Sequence, residues 1–392
     1  MQKSIYIVAA KRAPIARLCG ALSGMAAARV GAQVMRAVLD DTNIDPAAID
    51  EVIVGQVLQG GAGQNPGRQA AIWAGIPESV PAMTINKVCG AGQKSIHLAA
   101  QAIKAGDADM ILAAGQDSMT EAPHFFAGSR TSSKIGDQTL KDMMITDGLW
   151  DVFNDIHMGS TVEQLARRYQ ISREEQDAFA LASQQKARRA QDDGTFAQEL
   201  TSIRVPGRKG ATIFNRDENL RETSLEALAG MRPVFEDDGT ITAGNASGLN
   251  DGASAVLVVS EKRLNELGLT PLARIASYGV GALDPMDMGL GPVPAARAAL
   301  SKAGWAPRDL DRMEINEAFA AQALAVNREM GWDPEAVNVN GGAIALGHPL
   351  AASGNRIVTT LIHEMRRSGA RRGLTALCIG GGMGVATCLE AA

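Results

Sequence analysis

The sequence predicts an α/β fold built from two similar halves, with a polar block inserted between them. Three observations predict it. Both ends of the chain alternate β-branched runs with stretches of helical spacing. The order strand, turn, helix, glycine, strand occurs in Met83–Gly115 and again in Val337–Cys378. Between them, from about Met119 to Gly244, the sequence becomes polar and carries charged helices. The 392 residues agree, since a single core stops growing near ~250–300 residues. With 46% apolar and 21% charged residues the chain is not disordered. Its 42 glycines and 4% aromatics fit many tight turns and packing through Ala, Val and Ile.

The elements follow in order. Ser4–Ala10 reads as a strand and Ala26–Asp40 as a helix ending near Asp41 and Asn43. Glu51–Val57 is a strand before the glycine-rich Gln59–Gly67. Met83–Asn86 is a strand, Gly90–Lys104 a helix and Met110–Gly115 a strand, which together predict helices on a largely parallel sheet. In the middle, Gly128–Asp137 reads as a loop. Ser160 with Glu163, and Ser172 with Glu175, match capping boxes. The second of these helices carries Lys186, Arg188 and Arg189 towards a stop near Gly194, as the helix dipole favours. In the last third, Leu272–Ala276 echoes Ile5–Ala9, and Met313–Ile315 and Val337–Asn340 read as strands. A helix from about Ser353 to Arg367 is closed by Gly369. Strands Leu374–Cys378 and Val385–Glu390 are split by the glycine run Gly380–Gly384. The expected division is 1–118 plus 250–270 for one half, 119–249 for the insertion, and 271–392 for the other half.

Several classes are excluded. A net charge of −5 without a Lys/Arg block argues against a nucleic-acid partner. The four cysteines, Cys19, Cys89, Cys378 and Cys388, are too scattered for a disulfide framework and form no zinc-spaced pair, so a reduced, cytoplasmic setting and no metal are expected. The longest stretch without Asp, Glu, Lys or Arg, Ala336–Asn355, is interrupted by Asn338, Asn340, His348 and Pro349, so no membrane span is expected. No acidic residue precedes Asp40, while Lys3, Lys11, Arg12, Arg17, Arg29 and Arg36 do, as in a transit segment. The scarcity of serine and the strand at Ser4–Ala10 count against a removable leader. Neither GxGxxG nor GxxxxGK[ST] occurs, so no phosphate loop is predicted.

Chemistry collects at four places. Cys89, in Asn86-Lys87-Val88-Cys89-Gly90-Ala91-Gly92, falls between a strand and a helix. There, free amides would favour its thiolate; the alternative is an inert buried cysteine. His348, in Gly341–Pro349, lies on a Gly/Pro-punctuated loop and is either a base or a satisfied loop histidine. Of the other four histidines, His97 and His363 fall within helices as structural or surface residues, while His124 carries no reading beside His157. Cys378 ends a strand before the glycine run, a turn that can aim a thiol and backbone amides into one pocket. In Asn316-Glu317-Ala318-Phe319-Ala320, Asn316 can present a polar group to a pocket, and Glu317 reads as a helix-start charge. Cys19 and Cys388 read as packing residues.

Together these segments resemble the thiolase family. Asn86–Gly92, Asn245-Ala246-Ser247-Gly248-Leu249-Asn250-Asp251-Gly252, Asn316–Ala320, Gly347-His348-Pro349 and Cys378–Gly382 fall in the family's order, and the likeness runs from about Ile5 to Glu390. It implies two α/β halves stacked as a five-layered αβαβα sandwich with an inserted loop domain, and no cleaved leader. It implies Cys89 as acyl-accepting nucleophile, His348 as the base that activates it, and Cys378 as acid/base. Asn316, through a water, and His348 would form one oxyanion site, and the amides of Cys89 and Gly380 the other. His157, Met158 and Met288 resemble the short-chain, acetoacetyl-CoA branch, in which they line a small acyl pocket beside Phe319. Ser247 resembles a contact to the pantetheine arm of coenzyme A and Arg221 one to its adenine–ribose end. The implied reaction is a reversible Claisen condensation of two acetyl-CoA, with coenzyme A as substrate or product and no further cofactor. The assembly would be a homotetramer of dimers. Longer-chain 3-ketoacyl-CoA cleavage and a non-catalytic acyl-CoA-binding protein are the alternatives. Two departures stand out: Ala351 where the family usually has glycine, and Ala91 where it often has serine.

Overall fold

A computed structural model of the chain describes residues 4–131 and 135–392. Lys3 and residues Ser132–Lys134 of the Gly128–Asp137 loop lie outside the described residues. The first half-sheet runs in the order Ala82–Ile85, Glu51–Gly55, Met110–Ser118, Asn250–Ser260, Ile5–Arg12. The second runs Ala273–Ala282, Met383–Ala391, Arg372–Ile379, Arg312–Ile315. They join through only two pairs, Tyr6 with Arg274 and Ile7 with Ala273.

The duplication is written in the pairing. In the first half the entry strand Ile5–Arg12 lies antiparallel to the exit strand Asn250–Ser260, which is antiparallel to Met110–Ser118, itself parallel to Glu51–Gly55. In the second, Ala273–Ala282, Met383–Ala391, Arg372–Ile379 and Arg312–Ile315 repeat that order and those directions. The sheet is therefore mixed, which corrects the largely parallel sheet expected from the sequence. The exit strand of each half returns against its neighbour, through a tight glycine turn in the second half and through the whole insertion in the first.

Helices fill three layers. Ala27–Thr42 and Pro66–Trp73 pack with Val52, Val54, Leu112 and Leu257 on the outer face of the first sheet. Pro292–Ala303 and Ala320–Met330 do the same with Met313, Leu374 and Ala386 of the second. Between the sheets lie Ala91–Ala105 and Leu350–Ser368, where Ala99, Ile103, Val358 and Leu361 meet Ile7 and Val256 on one side and Ile275 and Leu389 on the other. A helix hydrophobic enough to be covered on both sides is the expected occupant of such a layer. At the crossing of these two helices a Cβ on Gly92 would collide with the carbonyl oxygen of Ala351, so only glycine permits this approach.

Other expectations are corrected here. The strand expected at Val337–Asn340 shrinks to one parallel bridge, Val337 with Met313. Asn338 has φ +47°, and its side chain replaces the missing ladder by accepting from Ile315 N–H and donating to its carbonyl, both at 2.8 Å. The Ser172–Glu175 capping box forms, but the Ser160–Glu163 box does not. The helix Met158–Arg168 begins three residues earlier, with His157 as its cap, and Glu163 turns away to accept from Thr240 and Ile241 N–H. Glu317 is no helix-start charge: it is buried and accepts from Ser183, Asn338 and Ile344. Cys388 is a packing residue as expected, whereas Cys19 is exposed on a turn at φ +55°.

The insertion is fastened to the first half by a buried ion cluster. Arg12, 0% exposed, meets Glu199 at 2.6 Å and both oxygens of Asp217 at 2.8 and 2.9 Å. Deleting one member of such a cluster strands the others in a dry interior. Arg12→Met should lower stability by about 3–5 kcal/mol, read as a fall in the denaturant midpoint. The triple variant Arg12→Met, Glu199→Gln, Asp217→Asn should recover most of it.

Candidate active site

Each reactive side chain sits where a regular element ends. Cys89 closes a tight turn just before the helix Ala91–Ala105. Val88 beside it has φ +46°, a conformation that β-branched residues avoid, so the turn is strained at the residue that aims the thiol. Asn86 steadies it by accepting from Val88 N–H at 2.8 Å. His348 precedes the helix Leu350–Ser368 on a turn opened by Gly347 at φ +110°, where a side chain would run into Asn250. Asn250 accepts from His348 N–H at 2.9 Å, and Ser353 Oγ lies 2.6 Å from Nδ1, which leaves Nε2 to the cavity. Cys378 lies on the strand Arg372–Ile379, followed by the hairpin turn Gly380-Gly381-Gly382.

These groups share one cavity of about 440 Å³. Cys89, His348, Cys378 and Gly380 line it together with His157, Met158, Arg221, Ser247, Met288 and Phe319. Asn316 does not line it directly. It is fully buried, and neither its amide oxygen nor its amide nitrogen bonds to another protein group. A buried amide without partners is destabilising by about 1–3 kcal/mol, which marks it as a group awaiting a polar partner.

The walls divide by character. His157 stacks on Phe235 with centroids 4.6 Å apart, and Phe235 meets the edge of Phe319 at 6.0 Å. Met158, Met288, Phe319 and Cys378 belong to one apolar cluster, while Met119, Met143 and Leu350 close the side behind Cys89. Ser247 N–H donates to the Ala318 carbonyl at 2.9 Å, tying the insertion's last loop to the Asn316 segment. Arg221 is exposed at the rim, its guanidinium donating to the Ala243 carbonyl at 3.1 Å.

Burial sets the protonation states. It pushes the Cys89 thiol up to about 11, against the opposing effect of the Gly380 amide that donates to its sulfur. It pushes Cys378 up as well, with Cys89 nearby adding to the effect. The expectation that a helix N-terminus would keep Cys89 as a thiolate is thus corrected: desolvation outweighs the amides, and the resting group is a thiol. Burial lowers His348 to about 4, helped by the positive charge of Arg356, so its imidazole is neutral and able to accept a proton. Among the described residues no group of three or more His, Cys, Asp or Glu is placed to hold a metal ion.

The comparisons with known proteins agree with this geometry. Residues 5–262 match the thiolase N-terminal domain and residues 269–391 the thiolase C-terminal domain. The chain belongs to the thiolase family. It is 57% identical over 389 residues to an acetyl-CoA acetyltransferase of Pseudomonas aeruginosa, covering 99% of each chain. It is 55% identical over 388 residues to that of Cupriavidus necator, covering 98% of this chain and 99% of the relative. Among solved structures, the Bacillus anthracis acetyl-CoA acetyltransferase superposes with a TM-score of 0.98 at 40% identity, covering 100% of this chain and 99% of that one. Human mitochondrial 3-ketoacyl-CoA thiolase in complex with CoA superposes at 0.95 with 42% identity, covering 100% and 98%.

Sequence reasoning missed several members of this thiolase site. Phe235 lines the cavity from an irregular stretch of the insertion, and Met144 and Leu149 from the π-helix Met144–Leu149, which is too short for a periodicity to mark a wall. Asn250, which holds His348 from the Asn245–Gly252 motif, was given no role of its own, and Ser353, in the next helix turn, carries no distinguishing pattern. The Ala351 departure proves benign in backbone terms: Ala351 is buried in the helix and is not among the residues of positive φ.

Because His348 is held near 4, its basic form persists well below neutral pH. Acetylation of Cys89 by acetyl-CoA should therefore change by less than about threefold between pH 7.5 and 5.5. A histidine at the ordinary ~6.5 would lose about tenfold over that interval, because only the unprotonated imidazole takes the thiol proton. Rapid-quench mass analysis at the two pH values checks this.

Proposed function

We propose that this thiolase is an acetyl-CoA C-acetyltransferase, which condenses two acetyl-CoA reversibly to acetoacetyl-CoA and coenzyme A through an acetyl-Cys89 intermediate. The observation that carries the reading is the convergence of two uncharged thiols and a neutral imidazole in one apolar cavity. The relatives named acetyl-CoA acetyltransferase, at 55% and 57% identity over nearly whole chains, support the same assignment.

The chemistry balances with these groups alone. His348 Nε2 takes the proton of Cys89, and the sulfur attacks the acetyl carbonyl of the first acetyl-CoA. The tetrahedral oxyanion forms against the amide N–H of Cys89 and Gly380. As the C–S bond to coenzyme A breaks, the departing thiolate takes the proton of Cys378 and leaves as free CoA. An acetyl-enzyme remains, with a Cys378 thiolate beside a protonated His348. The high proton affinity that burial confers on Cys378 makes that thiolate a strong base, matched to a weakly acidic Cα–H. It removes a methyl proton from the second acetyl-CoA. His348 and Asn316, the latter through a water, hold the enolate oxygen, and the carbanion attacks acetyl-Cys89. Collapse expels the Cys89 thiolate, which recovers its proton from His348, and acetoacetyl-CoA departs. Cys378 keeps the proton it abstracted, so the resting state is restored.

Ser247 and Arg221 are placed on the approach to the cavity, where they would meet the pantetheine arm and the nucleotide end of coenzyme A. No cofactor beyond the substrate is invoked. We extend the reading to a cytoplasmic homotetramer built from dimers and acting in fatty acid metabolism. Supporting assembly, Val152 and Phe153 are 76% and 71% exposed beside Trp150 on a hairpin tip of the insertion, and the edge strand Ala82–Ile85 presents Met83 to solvent. No described helix is long and apolar enough to cross a membrane.

The walls support a short-chain preference: Met158, Met288 and Phe319 are nearly fully covered side chains beside the reacting groups. Thiolysis of acetoacetyl-CoA should exceed that of 3-keto-octanoyl-CoA by a factor on the order of 10² in kcat/KM, since each added methylene meets filled space. Comparable values along a ladder of chain lengths would favour a longer-chain 3-ketoacyl-CoA thiolase instead.

A further inference from the structure

One buried carboxylate has no partner in the reaction just described. Asp117, on the strand Met110–Ser118, is 1% exposed and pairs with no cation among the described residues. Its oxygens instead accept from three backbone amides in two separate segments. Val57 N–H lies at 3.1 Å, Leu58 N–H at 2.9 Å and Ala351 N–H at 2.9 Å. A carboxylate taken out of water is expensive to keep charged, and here burial pushes it up to about 7 despite the three donors.

What Asp117 grips explains its presence. Ala351 is the second residue of the helix Leu350–Ser368, three residues beyond His348. The path between them is unfavourable: Leu350 has φ +31°. Backbone of that kind persists only where its surroundings over-determine it. Asn250 holds the turn from the His348 side, and the Asp117 carboxylate, at the positive end of the helix, holds it from the other. The second segment it grips, Val57 and Leu58, packs in one apolar cluster with Cys89, Ala91, Leu350 and Ala351. One side chain therefore spans the floor beneath both the nucleophile and the base.

We infer that Asp117 is a positioning residue, which sets the separation of Cys89 and His348 by tying the His348 turn to the Val57–Leu58 loop. This rests on the thiolase reading above, and the experiment separates the two. Asp117→Asn keeps the shape but turns a donor towards an amide. It should slow acetyl-Cys89 formation and lower kcat for acetoacetyl-CoA thiolysis by roughly 10–100-fold, with KM within about threefold, because the base is displaced while substrate contacts stay. Asp117→Glu, which returns a carboxylate, should recover most of the rate. Asp117→Ser, whose hydroxyl still accepts one amide hydrogen, carries the same test if Asp117→Asn does not fold. The control is Asp251→Asn. Asp251 is the neighbouring buried carboxylate, but it accepts from Thr120 N–H and Ser118 Oγ and reaches nothing on the His348 turn. It should lose thermal stability yet acetylate within about threefold of the unaltered protein. Near-normal acetylation in Asp117→Asn overturns the inference. So does equal slowing in Asp251→Asn at an equal loss of Tm. If the unaltered protein itself forms no acetyl-enzyme, the thiolase reading fails instead.

Discussion

Desolvation of three reactive side chains at the seam between two half-structures is the constraint on which the rest of this protein depends. Cys89 comes from the first half and His348 and Cys378 from the second; the latter two are buried and Cys89 is half-buried, and desolvation keeps all three uncharged at rest. An isolated thiolate in such a place would be unstable, and an isolated imidazolium equally so. Charge can appear there only transiently, when one group hands a proton to another. The same dryness strengthens every amide aimed at a developing oxyanion.

The architecture supplies that dryness. The two central helices are covered by a sheet on each side, and their crossing is so close that Gly92 must be glycine beneath Ala351. Cys89 leads into one of these helices and His348 into the other, so this close crossing fixes the two reacting turns against each other. Cys378 arrives from the second sheet, at a strand end where Gly381 and Gly382 both take positive φ. The insertion then roofs the cavity with Met144, Leu149, His157 and Phe235, and the ion cluster around Arg12 clamps it down.

The architecture was readable from the sequence where periodicity and punctuation agree. Asn43, Gly106 and Gly369 end helices in the left-handed conformation, and the repeated strand–turn–helix order does reflect a repeated pairing scheme. It misled where a side chain does the work of backbone. Asn338 stands in for a strand, so the expected strand at Val337–Asn340 does not exist. His157 caps a helix whose start was assigned to Ser160. The sheet's direction was misjudged because alternation of strands and helices says nothing about a return strand separated from its neighbour by the whole insertion, numbered 119–249. At the site, Cys89, His348 and Cys378 were found from their turns and the wall residues only through the family resemblance; ten of the eleven named residues line the cavity, the exception being the unpartnered Asn316. Their supports were not found. Asp117 and Asn250 act through hydrogen bonds to distant backbone and Ser353 through one to a ring nitrogen, and the strain at Val88 and Leu350 leaves no trace in residue type. The protonation states were likewise out of reach, because they follow from burial rather than from neighbours in sequence.

The division of labour between the two cysteines is the centre of this account, and intact-mass analysis after mixing with acetyl-CoA tests it most directly. The unaltered protein should gain one acetyl group, Cys378→Ala should gain it too but more slowly because CoA leaves there as an unprotonated thiolate, and Cys89→Ala should gain none. An acetylated Cys89→Ala protein, or a Cys378→Ala protein that cannot be acetylated, would contradict it.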